Sequence, residues 1–182
     1  MSNAKDFPWK DAETVTPTML ESIDYMDADD ELAPMARRIR DNTPHNIDLN
    51  VERIKFLYSN KPKKEGGKYN IGELLVRGAK EKAVYDAFDY VLIVYYPTWK
   101  ELDKPTKFIQ LDKLLCGVEI ETKKSGEEVM KKSPFDCREY SNNMHYWGAD
   151  EVLRSSESVH LAIQRHLEES KEKNKINVTA IE

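Results

Sequence analysis

The chain has 182 residues, 40% hydrophobic and 34% charged, which suits one domain with a moderate core rather than a disordered segment. Lys and Arg total 28 against 33 Asp and Glu, a formal net charge of −5. This excludes a general nucleic-acid coat, which needs a basic face, and is too mild for a mimic of a phosphate backbone. No apolar run approaches the roughly 18 residues that span a bilayer, and "MSNAKDFPWKDAETV" lacks the apolar stretch of a signal peptide. The expected location is therefore the cytosol, with Cys116 and Cys137 as reduced thiols.

Residues 1–27 are polar with scattered apolar positions and read as an N-terminal arm. "DADDELAPMARRIRDNTP" predicts a helix: Asp27, Asp29, Asp30 and Glu31 sit at its positive end and Arg37, Arg38 and Arg40 at its negative end, as the helix dipole favours. Leu32, Ala36 and Ile39 recur at helical spacing, Pro34 suits a first turn, and Pro44 ends the element. Val51, Ile54, Phe56 and Tyr58 alternate as in a strand; "NKPKKEGGKYN" follows as a flexible basic turn and "IGELLVRG" as the returning strand. "DYVLIVYY" is β-branched and aromatic throughout, predicting a strand covered on both faces. A helical turn around Trp99 leads into a helix from about Lys104 to Cys116, with Pro105 in its first turn and Gly117 at its exit. "VEIETKKSGEEVMKKS" reads as a ragged hairpin or loop, "DCREYSNNMHYWG" as a second helix, and "ADEVLRSSESVHLAIQRHLEESKEK" as a third. In the third, Val152, Ser156, Val159, Ile163 and Leu167 share one face. The domain is expected over 28–172, with a frayed tail at 173–182.

The segments "DYVLIVYYPTWKELDKPTKFIQLDKLLCG" and "SPFDCREYSNNMHYWG" carry a resemblance. From about Asp29 to Trp147 the chain resembles the phage metallopeptidase family of small zincin-like domains. In that family a strand and a Trp-containing turn precede a helix reading Leu-Asp-His-Glu-Leu-Cys-His, and Pro-His-Asp-x-Glu-Glu-Phe comes later. The pair of histidines at i and i+4 faces one zinc ion, and the glutamate polarises its bound water. Asp112, Leu115, Cys116, Asp136, Glu139 and Tyr140 keep the pattern. Lys113 stands at the first ligand, Leu114 at the general base, Gly117 at the second ligand and Phe135 at the downstream histidine. An ammonium repels a dication, and leucine, glycine and phenylalanine offer no donor atom. Loss of a general base alone typically costs ~100- to 10,000-fold. Neither a metal nor any other cofactor is expected.

The resemblance implies an α+β fold: a small antiparallel sheet packed against helices, with additional helices at the C-terminal side. It also implies a phage-derived pseudo-metallopeptidase that binds a host defence protein, with an anti-CRISPR inhibitor of a CRISPR nuclease–guide RNA complex in the bacterial cytosol as the leading form. The binding groove would include Lys113, Leu114, Gly117 and Phe135. The alternative is an enzyme with a relocated acidic site acting on RNA, drawing on Glu119, Glu121, Glu139 or His145. Simpler readings compete with each of these residues. Glu119 and Glu121 suit a solvated strand edge, Asp136 and Glu139 a capping box, and His145 an exposed helix face. His160 and His166 are six residues apart, the wrong spacing for one ion on a helix face.

Overall fold

A computed structural model describes residues 9, 11–13, 15–65, 67–78, 81–82, 88–126, 128–134 and 140–179. In chain order, β1 (Tyr25–Asp27) leads into α1 (Asp29–Asn42) and two 3-10 turns, Pro44–Asn46 and Val51–Arg53. β2 (Ile54–Ser59), β3 (Lys63–Glu65), β4 (Lys68–Asn70), β5 (Gly72–Val76) and β6 (Tyr90–Tyr95) follow. Then come α2 (Tyr96–Trp99), α3 (Lys104–Leu115), β7 (Val118–Thr122), β8 (Glu128–Lys132), α4 (Ser141–Trp147) and α5 (Ala149–Thr179).

The principal sheet has the order β1-β2-β6-β5 and is mixed rather than antiparallel as expected. β2 and β6 run parallel, Ile54 opposite Tyr90 and Ser59 opposite Tyr95, while β1 and β5 pair antiparallel with their neighbours. β5 does not return against β2, because β6 lies between them. A strand apolar on both faces gains most from a central place. In β6, Tyr90, Leu92, Val94 and Tyr95 are buried and Val91 and Ile93 half-buried, whereas β5 ends with Leu75 and Val76 exposed. The basic turn after β2 contains a small hairpin, β3 with β4, whose Gly67 takes φ 84°. The segment after Gly117 is a regular hairpin, Val118 opposite Lys132 and Thr122 opposite Glu128.

The helix α1 starts at Asp29, so Pro34 lies inside it rather than in its first turn. The Asp27 carboxylate accepts from the Asp29 amide (2.8 Å), and Asp29 accepts from the Phe56 amide (3.0 Å), fixing the helix start against β2. Leu32, Ala36 and Ile39 of α1 enter a core with Phe56, Tyr58, Leu92 and Val94 of the sheet, Phe108, Leu111 and Leu115 of α3, and Val152, Val159 and Ile163 of α5. From Lys107 to Leu115 every residue of α3 is buried. Its polar side chains therefore need partners. Lys107 Nζ reaches Glu31 Oε1 at 3.1 Å; Glu31 also accepts from Thr16 Oγ1 (2.8 Å), Trp99 Nε1 (3.3 Å) and the Tyr58 hydroxyl. Burial first, and then the hydrogen bond to Glu31, push the Tyr58 phenol far above its ordinary range.

The arm expected over 1–27 is docked where it is described. Trp9 stacks on Trp147 with centroids 5.0 Å apart, Ala12 and Met19 are buried, and β1 completes the sheet. At the other end α5 continues to Thr179, into the segment expected to fray.

Candidate functional site

The N-cap Asp103, whose carboxylate accepts from the Thr106 amide (3.0 Å), and Pro105 in the first turn start α3. Its last turn then presents two different faces. Lys113, Leu114 and the following Gly117 face β5, where a recess is lined by Gly72, Glu73, Leu74, Lys113, Leu114, Lys132 and Tyr140. The recess measures about 20 Å³, room for roughly one water. Lys113, Leu114 and Gly117 are all buried. Lys113 Nζ donates to Ser156 Oγ of α5 (3.2 Å). Phe135 lies outside the described residues, as do Cys137 and Glu139. Leu74 and Tyr140 line this recess beside Lys113 and Leu114, and with Phe135 outside the described residues the groove expected around these positions is described only in part.

Position 117 is crowded for a side chain. A Cβ there would meet the Tyr140 hydroxyl at 2.8 Å, the Leu114 carbonyl at 3.2 Å and Leu74 Cδ2 at 3.2 Å. The Tyr140 hydroxyl is itself held by donation to the Ser133 carbonyl (2.7 Å). Histidine at 117 would need that volume, so the change at this position is matched by its packing.

The other face of the turn carries Asp112, whose side chain is 0% exposed. Asn46 Nδ2 donates to Oδ1 (2.5 Å), Asn143 Nδ2 to Oδ2 (2.8 Å) and Trp147 Nε1 to Oδ2 (2.5 Å), while His45 Nε2 lies 3.0 and 3.2 Å from the two oxygens. Asp112 thus ties α3 to the 3-10 turn after α1 and to α4 at once. Aromatic rings wall the cluster: Tyr146 meets His45 edge-on at 5.8 Å and Trp147 at 4.8 Å. Burial first, and then the charge of Asp112, raise the Tyr146 phenol above its ordinary value. Cys116 follows Asp112 by one helical turn, and ligand atoms of His45, Asp112 and Cys116 all lie within 4.8 Å of one another. Among the described residues this is the group of His, Cys, Asp or Glu able to hold a metal ion. It was not anticipated from sequence. The Asp112–Cys116 spacing was visible, but nothing in a linear reading brings His45 to it across 67 positions.

Of the residues considered for a relocated acidic site, Glu119, Glu121 and His145 are described. Glu119 and Glu121 are exposed on β7, Glu121 paired with Lys131 across the hairpin, and His145 is exposed on α4. The hydrogen bond and charge of Lys131 hold the Glu121 carboxyl below its ordinary value, as expected of a solvated strand pair. His160 accepts from the Tyr69 amide through Nδ1 (2.9 Å), and His166 bridges Thr98 Oγ1 and Glu101 Oε2 (3.0 Å each). These two histidines fasten α5 to the body of the domain.

A profile of the family described as "Putative phage metallopeptidase" matches residues 23–168. The chain belongs to the phage metallopeptidase family. No curated protein and no solved structure matches it. The match runs from β1 well into α5, so it covers the principal sheet and reaches into the last of the described helices. The zinc that the family name implies does not fit the positions at which the resemblance would place it. A protonated Lys113 and Leu114 supply no ligand atom, Gly117 has no side chain, and a Cβ there would crowd the Tyr140 hydroxyl. Among the described residues no helix is long and apolar enough to cross a membrane.

Proposed function

We propose that this phage metallopeptidase-like protein acts by binding rather than by cleaving, engaging a host defence protein. The closed packing at Gly117 carries the reading. A site that had lost only its ligands would keep the space for them, whereas a Cβ at 117 would crowd Tyr140 and Leu74. Lys113, at the first ligand position, is turned to Ser156 of α5 and consolidates the fold. Binding by such a protein uses its surface, where charges of both signs alternate: Lys61 with Asp24 (2.7 Å), Lys63 with Glu73 (2.8 Å) and Lys68 with Glu157 (2.7 Å). The finer form of the proposal, an inhibitor of a CRISPR nuclease–guide RNA complex, rests on the phage context of the family and on the size of the chain.

Co-purification of the full chain with candidate host nucleases, with and without guide RNA, tests it. One dominant nuclease partner is the expected result. Recovery of general chaperones alone removes the binder reading. So does RNA or peptide cleavage by the purified chain that disappears in Glu119→Gln or Glu139→Gln.

A further inference from the structure

We propose that His45, Asp112 and Cys116 form a structural site for one zinc-class transition-metal cation, separate from the positions at which the family resemblance would place a catalytic ion. The three side chains offer an imidazole nitrogen, a carboxylate oxygen and a thiol sulfur, the donor set that selects zinc over magnesium or calcium. Asp112 and Cys116 are spaced i, i+4, which puts both on one face of the α3 terminus. His45 reaches them from the turn after α1.

Distances favour the site. Two ligands each about 2.0–2.2 Å from a tetrahedral ion stand about 3.3 Å apart. His45 Nε2 is 3.0 and 3.2 Å from the Asp112 oxygens, so the pair is already near ligand separation. The Cys116 sulfur belongs to the same group, with all three ligand atoms within 4.8 Å of one another.

Electrostatics favour a cation over a nucleophilic thiolate. The buried Asp112 charge is met by Asn46, Asn143 and Trp147, all neutral donors, and by His45. Cys116 caps the C-terminus of α3, where the helix dipole is negative. A thiolate there without a cation adds negative charge to negative charge, whereas a dication bound to one carboxylate and one thiolate leaves the cluster neutral. Binding sends the Cys116 thiol proton to solvent and leaves His45 as the Nδ1–H tautomer, with its Nε2 lone pair on the ion. Asn46, Asn143 and Trp147 keep their hydrogen bonds to the carboxylate and orient it.

Two further observations point the same way. Asn143 donates to Asp112 through Nδ2, yet its Oδ1 is the buried side-chain atom that finds no hydrogen-bond partner among the described residues. It is an unmet neutral acceptor on a side chain that contacts Asp112 directly. A cavity of about 190 Å³, lined by Leu49, Arg53, Tyr90 and Val118 among others, has His45 and Asn46 in its wall.

The test uses the full chain, stripped with chelator and titrated with Co²⁺ and then Zn²⁺. One equivalent of Co²⁺ is expected, with a thiolate-to-cobalt absorption band, displacement by Zn²⁺ and a rise in Tm. His45→Ala and Cys116→Ala remove side chains that lie outside the main apolar core and should stay folded by circular dichroism. Each should lose the band and weaken binding by more than the about 10- to 100-fold that loss of a supporting hydrogen bond costs. His145→Ala, at an exposed position, should bind as the unaltered chain does. Absence of stoichiometric binding by the unaltered chain overturns the proposal, as does a band that survives Cys116→Ala. Since none of these readouts involves a host partner, the outcome is independent of whether the binder reading holds.

Discussion

A side chain at position 117 must displace the Tyr140 hydroxyl, which lies 2.8 Å from where a Cβ would sit and is anchored on Ser133. Overpacking of this kind costs about 1–3 kcal/mol. Gly117→Ala should lower stability by that amount in urea unfolding with an unchanged slope, and a neutral result would mean that Tyr140 is not held. The combined Lys113→His, Leu114→Glu, Gly117→His protein restores the family's donors but not the room for them. It should gain no peptidase activity in a fluorogenic peptide assay. On the opposite face, Asp112→Ala strands the donors of Asn46, Asn143 and Trp147. Each buried unsatisfied donor costs about 1–3 kcal/mol, so the loss should reach ~3 kcal/mol or more. A Tm unchanged by this substitution would show that the carboxylate does not organise the cluster.

Two elements depend on docking rather than on their own propensity. The N-terminal arm has little apolar content, yet Trp9 stacks on Trp147 and tilts against Phe108, with ring centroids at 5.0 and 6.5 Å. Stacked aromatic pairs contribute about 0.5–1.5 kcal/mol beyond the area they bury. Trp9→Ala should therefore release the arm, seen as faster protease cleavage before α1 while the 28–172 fragment persists. Protection equal to the unaltered chain would assign the docking to Ala12, Met19 and β1 instead. The helix α3 is the second case. It carries Lys107, Gln110, Asp112 and Lys113 at buried positions, a pattern that reads as partly solvated in sequence. Three other elements supply the partners that make its burial tolerable: Glu31 from α1, Ser155 and Ser156 from α5, and Asn143 and Trp147 from α4.

At the scale of the whole molecule, ion pairs that join distant segments set the acid limit of stability. Burial alone would raise the Asp89 carboxyl. The hydrogen bonds and charges of Lys82 and Arg53 outweigh that and hold it below its ordinary 3.8. Asp27 behaves alike, burial opposing and Lys55 and the Asp29 amide prevailing. A depressed carboxyl takes up protons more readily when unfolded, so stability rises with pH through this range. The contribution is complete above the unfolded value of 3.8 and is lost as pH falls through the lower folded values. Asp89→Asn should flatten the acid limb of a stability–pH curve relative to the unaltered chain. Identical limbs would place the acid sensitivity elsewhere. What could be read from the sequence alone was local or motif-borne. The helices α1, α3 and α5, the apolar strand β6, the family resemblance and the missing donors at Lys113, Leu114 and Gly117 all follow from the order of adjacent residues, since periodicity, capping and motif spacing are properties of contiguous chain. Tertiary structure alone decided that β6 separates β2 from β5, that Tyr140 and Leu74 seal position 117, and that His45 meets Asp112 and Cys116. Those outcomes depend on volumes and hydrogen bonds between side chains distant in sequence, such as His45 and Asp112 at 67 positions, which no local pattern encodes.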